Sequence, residues 1–338
     1  MKICIFCFSN TGADLAARLC DKMELNRENV HTLTKFAVPY GFTAHDSVKA
    51  DMETLFARHD ALIFIGAAGI AVREIAPYVR NKTEDPAVLV LDERGQYVIP
   101  ILSGHIGGAN ALAKRVAALN GSVPVVTTAT DVNDKFACDA WAAEHGCAIS
   151  SMQSAKEVSA AVLTGNIPVT SEFTLPETLP DGLFRCERGE LGVYIGVRTK
   201  EPFTKTLRLI PKTVTLGVGC RRGMPEETVF AAISEVLKQH EIDIRAVRRV
   251  VSIDVKQDEP GLLACAEKLG APAVFFSAEE LSAVPGDFEE SAFVKQTVGV
   301  GNVCERAAVC AGGRLIVPKT ALNGVTVAAA VEDWSVVF

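Results

Sequence analysis

The chain has 338 residues, 49% of them apolar and 22% charged, enough for two or three domains with real cores and no need of disulfide or metal staples. Its net charge of −7 gives no long-range pull toward phosphate backbones or anionic lipid, so nucleic acid is excluded as an expected partner. The longest uncharged apolar run, Ala61 to Val72, is twelve residues against the roughly 18 that span a bilayer, so no membrane segment is expected and the protein is read as cytoplasmic.

In chain order, residues 2 to 8 form an apolar strand candidate closed by Ser9-Asn-Thr-Gly12, which reads as strand and turn rather than as a signal peptide. Leu15, Leu19 and Met23 then recur at helical spacing over Thr11 to Met23. Ala61 to Ile65 is a continuous apolar run of the kind covered on both faces of a sheet, followed by Gly66-Ala-Ala-Gly69 and a helix that Pro77 limits. Val88 to Leu91 and Tyr97 to Leu102 flank Asp92-Glu-Arg-Gly95, a turn that fits a hairpin or adjacent strands. A helix from Ala109 to Leu119 stops at Asn120-Gly121, and another is expected over Asp134 to Gly146.

This alternation predicts an α/β fold with a mainly parallel N-terminal sheet. The Pro- and Gly-rich stretch from Thr174 to Lys212 reads as turns, short strands and a connection. From Val214 the alternation resumes: strands at 214–218, 249–253 and 273–276, helices at 225–238 and 259–268, then a glycine loop at 299–301 before a helix at 303–310. The expected division is residues 1–140, a small middle domain at 141–212, and a second α/β domain at 213–338. Ten scattered cysteines are too sparse for a disulfide scaffold and are read as reduced, mostly buried thiols.

Four segments could carry chemistry. Gly66 to Gly69 joins a buried strand to a helix, so backbone N–H groups and the helix dipole suit a carboxylate or phosphate, with Arg73, Glu74, Arg80 and Lys82 close in sequence. The bland alternative is a packing glycine beside surface charges. Ser103-Gly-His-Ile-Gly-Gly-Ala-Asn110 sets a histidine between glycines at a strand end, which makes His105 the acid/base candidate and the N–H groups of Gly107 and Gly108 candidate oxyanion donors. Ser103 or His105 acting only as a helix cap is the competing reading. Thr127-Thr-Ala-Thr-Asp131, including Thr128, either lines the same crevice or caps the next helix.

Gly217-Val-Gly-Cys-Arg-Arg-Gly223 has glycine spacing one residue longer than a dinucleotide fingerprint and no clear acidic partner, so NAD is rejected. Arg221 and Arg222 still make it a candidate carboxylate clamp. Gly299-Val-Gly-Asn-Val-Cys-Glu305 repeats the strand-loop-helix logic, with Gly301 at the turn, Glu305 as a base or a solvated helix residue, and Lys319 as a further cation.

No P-loop, His-Glu-x-x-His or Gly-x-Ser-x-Gly motif is present, which argues against nucleotide hydrolysis, zinc peptidase and serine hydrolase chemistry. Cys4 and Cys7 would point to opposite faces of a strand, so a zinc or dithiol role is set aside. Ser9 to Gly12 resembles a flavodoxin phosphate loop, but Asp14 would repel the phosphate and FMN is discounted.

Taken in order and spacing, Gly66 to Arg80, Ser103 to Asn110, Gly217 to Gly223 and Gly299 to Glu305 resemble the cobalt-precorrin-5A hydrolase family of anaerobic cobalamin biosynthesis, over nearly the whole chain. The resemblance implies three domains and a hydrolase that opens the ring A δ-lactone of cobalt-precorrin-5A, then expels the former bridging carbon and its methyl as acetaldehyde. On that reading His105 and Glu74 are the acid/base residues. Substrate-binding positions are Gly66, Gly69, Arg73, Arg80, Lys82, Ser103, Gly104, Gly107, Gly108, Asn110, Thr128, Arg221, Arg222, Gly301 and Glu305. Cobalt arrives inside the substrate, with His105 a candidate axial ligand to it, and neither a protein-bound metal nor an organic cofactor is expected. The partner is the small cobalt-corrinoid itself, with homo-oligomerisation and transient contact with neighbouring pathway enzymes left open. A non-catalytic tetrapyrrole carrier is the competing class.

Overall fold

The computed structural model describes every residue except Lys82, Thr83 and Ile106, and also leaves out the side chain of Phe293. It divides into two units, Met1–Ala143 and Glu144–Phe338. The first is built on seven strands: β1 (Ile3–Cys7), β2 (Val30–Leu33), β3 (Thr43–His45), β4 (Ala61–Ile65), β5 (Ala87–Leu91), β6 (Tyr97–Leu102) and β7 (Val123–Pro124). Their order in the sheet is β3-β2-β1-β4-β5-β6-β7. Helices α1 (Asn10–Met23), α2 (Thr34–Ala37), α3 (Val48–Arg58), α4 (Ala68–Ile75), α5 (Ala109–Asn120), α6 (Ala129–Val132) and α7 (Cys138–Glu144) connect and cover it.

Every residue of β1, β4 and β5 is buried because both sheet faces are covered. Side chains alternate across each strand. Ile5, Ile63 and Leu89 therefore pack with Leu15 and Leu19 of α1 and Leu112 and Val116 of α5. Phe6, Phe64 and Val90 pack on the other side with Met52 and Phe56 of α3 and Ile75 of α4. Cys7 lies in the first core and Cys4 in the second, on opposite faces as the strand period requires.

β2 and β3, absent from the sequence reading, extend the sheet beyond β1 in parallel. The turn after β5 resolves as a hairpin: β6 runs antiparallel to β5, with Leu91 opposite Val98 and Val88 opposite Leu102. Asp92 fixes that turn by accepting hydrogen bonds from the N–H groups of Arg94 (2.9 Å) and Tyr97 (2.7 Å).

The second unit holds two five-stranded sheets. The first comprises β8 (Cys147–Ile149), β9 (Ile167–Ser171), β10 (Leu183–Arg185), β11 (Leu191–Ile195) and β12 (Lys205–Pro211), in the order β10-β9-β11-β12-β8, with α8 (Met152–Thr164) packed on it. The stretch expected as turns, short strands and a connection without a core thus belongs to a sheet, and Val169, Val193, Ile195, Leu207 and Leu209 give that sheet a buried face.

The second sheet comprises β13 (Val214–Cys220), β14 (Val247–Ile253), β15 (Ala273–Phe276), β16 (Arg314–Leu322) and β17 (Val325–Val331), in the order β15-β14-β13-β17-β16. Its helices are α9 (Glu226–Gln239), α10 (Pro260–Lys268), α11 (Ala278–Ala283), α12 (Ala292–Val298) and α13 (Cys304–Cys310). The β16–β17 hairpin, not foreseen, turns on Asn323 and Gly324, both at positive φ, the pair that two-residue hairpin turns favour. No disulfide joins any of the ten cysteines, six of which are buried. Among the described residues no helix is long and apolar enough to cross a membrane.

His31 on β2 is buried, with Nδ1 2.9 Å from His45 Nε2, and His45 Nδ1 lies 2.7 Å from Asp51 Oδ2. Burial, reinforced by His45 and His59, pushes His31 down to about 4. A histidine whose folded value lies below its unfolded one, near 6.5, stabilises the fold above that value and withdraws the stabilisation as pH falls toward 4. Thermal unfolding of the wild type should lose midpoint between pH 6.5 and 4. His31→Gln should flatten that part of the curve, and equal slopes in the two proteins would reject the assignment.

Candidate active site

The strands of the first unit's sheet end on two opposite sides, and these carry different sequence-predicted residues. Gly66 follows β4, and its N–H is hydrogen-bonded to Leu91 O (2.8 Å) at the carboxyl end of β5. Because β6 is antiparallel, the loop after it lies at the amino end of β5, where Ser103 Oγ donates to Asp85 O (2.9 Å). Five strand residues at about 3.3 Å each, roughly 16 Å, separate the two ends. Gly66, Gly69 and the exposed Arg73, whose Nη1 donates weakly to Gly69 O (3.4 Å), therefore do not join His105.

Arg80 does return to the end of the sheet that carries the His105 loop. Its N–H is shared by both carboxylate oxygens of Asp85 (3.0 Å each), and Arg80, Asp85 and Gly107 line a cavity of about 690 Å³ with His59 and Tyr78. Glu74 lies on α4; its Oε2 is buried and has no hydrogen-bond partner among the described residues. Lys82 lies outside the described residues.

Ser103 and Gly107 approach each other closely. Ser103 adopts φ 55°, and a Cβ at Gly107 would sit 2.3 Å from Ser103 Cβ and 2.9 Å from Ser103 O, so the loop closes only with glycine there. Gly108 N–H is hydrogen-bonded to His105 O (2.8 Å), which removes it as an oxyanion donor in this arrangement. Gly104 packs against the side chain of Asn110.

His105 is gripped by two carboxylates that the sequence reading did not single out as site residues. Its Nε2 lies 2.8 Å from Asp131 Oδ2 and its Nδ1 2.9 Å from Asp139 Oδ1. Asn110 Nδ2 donates to the same Asp131 oxygen (2.9 Å) and to Thr128 Oγ1 (3.1 Å), while Lys114 Nζ is 3.2 Å from Asp131 Oδ1. The hydrogen bond to Asp139 holds His105 above the ordinary imidazole range, opposed by burial and assisted by Asp131. Burial alone would raise the Asp131 carboxyl, and the bonds from His105 and Lys114 outweigh it and keep it ionised. With both ring nitrogens bonded to carboxylates, neither is left as an axial ligand or a resting base.

In the second unit, a cavity of about 560 Å³ opens at the carboxyl ends of β13 and β14. Its walls include Ile253, Val294, Val298 and Val303, and its rim carries Arg221, Arg222, Lys256 and Lys319. Arg222 lies 3.6 Å from Asp258 and Lys256 3.4 Å from Glu259, while the side chains of Arg221 and Lys319 have no ion-pair partner among the described residues. Gly301 and Asn302 form part of the lining. Glu305 does not serve as a surface or ligand carboxylate: it is buried, Oε1 accepts from Lys319 N–H (2.7 Å) and Oε2 accepts from Asn302. It holds the loop that shapes the cavity. Among the described residues no group of three or more His, Cys, Asp or Glu side chains could hold a metal ion.

Two family models match this chain: Cobalamin synthesis G N-terminal over residues 50–131 and Cobalamin synthesis G C-terminus over residues 214–330. A cobalt-precorrin-5A hydrolase from Salmonella typhimurium is 35% identical, covering 96% of this chain and 96% of its own. The chain belongs to the cobalt-precorrin-5A hydrolase family.

A second cobalt-precorrin-5A hydrolase, from Priestia megaterium, is 31% identical over 79% of this chain and 76% of its own. Protein CobE from a Sinorhizobium species is 34% identical over 31% of this chain and 71% of its own. Within the family frame, the N-terminal match contains His105, Asn110, Lys114 and Asp131, and stops short of Asp139. The C-terminal match contains every cation of the cavity rim.

Proposed function

We propose that this chain hydrolyses cobalt-precorrin-5A in cobalamin biosynthesis, opening the ring A δ-lactone and releasing the former bridging carbon with its methyl as acetaldehyde, to give cobalt-precorrin-5B. The observation that carries the reading is the 35% identity to a cobalt-precorrin-5A hydrolase over 96% of both chains. The geometry supports it in two ways. A flat apolar macrocycle edged by carboxylates calls for apolar walls and cations at the rim, which the cavity beside β13 and β14 provides. Lactone opening and carbon–carbon cleavage both call for proton transfer near neutral pH, for which His105 and Glu74 are the groups available.

Cobalt comes with the substrate, and both steps are acid–base chemistry in which the macrocycle accepts the electron pair, so no separate organic cofactor is required. On this reading the enzyme works in the cytoplasm, with a small corrinoid as its partner. Anaerobic incubation of the protein with cobalt-precorrin-5A should release acetaldehyde above the no-protein rate, with a product mass reduced accordingly. Arg221→Ala should raise KM about tenfold with kcat little changed, the loss of one charge-assisted contact of about 1.5 kcal/mol. Tight binding without acetaldehyde would instead point to a carrier.

A further inference from the structure

A neutral imidazole has one N–H and one lone pair, yet His105 presents a ring nitrogen to a carboxylate on each side: Nε2 to Asp131 Oδ2 at 2.8 Å and Nδ1 to Asp139 Oδ1 at 2.9 Å. Ionised carboxylates only accept, so both ring nitrogens must donate, and the side chain in this arrangement is an imidazolium. Among the described residues, charged groups facing it include Asp131 from α6 and Asp139 from α7, and Lys114 from α5 reaches Asp131 Oδ1 at 3.2 Å.

The two carboxylates are not equivalent. Asp139 is buried, 6% exposed, and also accepts from Ala140 N–H (3.1 Å). Asp131 is more open, and Lys114 and Asn110 stay bonded to it when His105 lets go. A substrate oxygen can therefore displace Asp131 from Nε2, on the more open side of the ring, without leaving that carboxylate bare.

We propose that Asp139 and Asp131 are positioning residues that present His105 as an imidazolium, so that it acts first as the acid and then as the base of the reaction. The proposal rests on the hydrolase reading above. In the first step water adds to the lactone carbonyl, the ring C–O bond breaks, and the Nε2 proton passes to the departing oxygen to make a hydroxyl. The new carboxylic acid releases its proton to water. In the second step the Nε2 lone pair takes the hydroxyl proton as the acetaldehyde C=O forms. The carbon–carbon bond breaks, its electron pair moves to the macrocycle, which takes up a proton from solvent, and the imidazolium is restored. Nδ1 stays bonded to Asp139 throughout.

The test is a histidine ¹⁵N NMR titration of the full chain without substrate, paired with the pH dependence of acetaldehyde release. Both ring nitrogens of His105 should read as protonated at pH 7. Asp139→Asn should lower the titration midpoint by about 1–3 pH units and move the alkaline limb of the kcat profile down with it, while Asp139→Glu restores both. Asp131→Asn provides the same readout at Nε2 if Asp139→Asn does not fold. A neutral His105 at pH 7 in a protein that releases acetaldehyde overturns the proposal alone, as does an Asp139→Asn titration that matches the wild type. An imidazolium in a wild-type protein that releases no acetaldehyde overturns the hydrolase reading, and the catalytic half of the proposal with it.

Discussion

His105→Ala should lower kcat for acetaldehyde release by about 10²–10⁴-fold, the range typical of a lost proton-transfer group, while binding of the tetrapyrrole changes little. Binding is spared because the cations proposed to hold the substrate carboxylates, Arg221, Arg222, Lys256 and Lys319, belong to a different sheet. The substitution has a second consequence, since Asp131 and Asp139 would then lie across a small void without the imidazolium between them, with Lys114 still bonded to Asp131. His105→Gln separates the effects: it keeps a donor for one carboxylate but cannot carry a proton. Both variants should be nearly inactive under saturating substrate, and only the alanine variant should show a clearly lowered thermal midpoint. If either retains more than about a tenth of wild-type kcat, the proton transfer lies elsewhere, and Glu74, whose buried Oε2 has no hydrogen-bond partner among the described residues, is the group to replace next.

What the residues alone reveal of this fold depends on whether a signal is local. The runs that became β1, β4 and β5 are apolar at every position because both faces are covered, and that pattern is visible in a window of five residues. The strands β2 and β3 are short and include His31, Thr32, Thr43 and His45, so neither run length nor alternation marks them. The middle sheet is hidden by its connections: Pro176, Pro180, Gly182 and Gly189 read as turns, and the strands between them are too brief to outweigh that signal.

The same distinction governs the site. His105 stands out among glycines, but whether it faces the Gly66 loop depends on the direction of β6, which the turn from Asp92 to Gly95 leaves open. Its partner Asp139 is 34 residues away with nothing unusual around it, and only the packing of α7 brings the two together. Asp131 sat within a recognised polar cluster, so its neighbourhood was legible while its role was not. In the second unit, Arg221 and Arg222 were legible as a pair, and Lys256 was not, because it joins the rim only through the parallel pairing of β13 and β14.

Gly217→Ala should destabilise the protein by more than about 3 kcal/mol, a large loss for one methyl group. Gly217 is in the middle of β13, paired with Val251 on one side and Ala328 on the other, so the strand cannot shift to make room. A Cβ there would lie 1.8 Å from the Cys304 carbonyl oxygen, 2.7 Å from its carbon and 3.1 Å from Ala308 N. These are backbone atoms of α13, and no rotamer change relieves the clash. The helix must move off the sheet, drawing Val303 and Ala307 out of their core and Asn302 and Val303 out of the cavity wall. Stability and substrate binding should therefore fall together, read from urea unfolding and from corrinoid titration of the folded fraction. Gly165→Ala is the control: its backbone is extended at φ −173°, nothing lies within 4 Å of the added methyl, and its effect should stay within about 1 kcal/mol. Equal midpoints for the two variants would mean that α13 does not rest on β13 as described. A selective loss at Gly217 would assign this glycine of the Gly-Val-Gly motif to close packing of helix on strand rather than to a phosphate-binding turn.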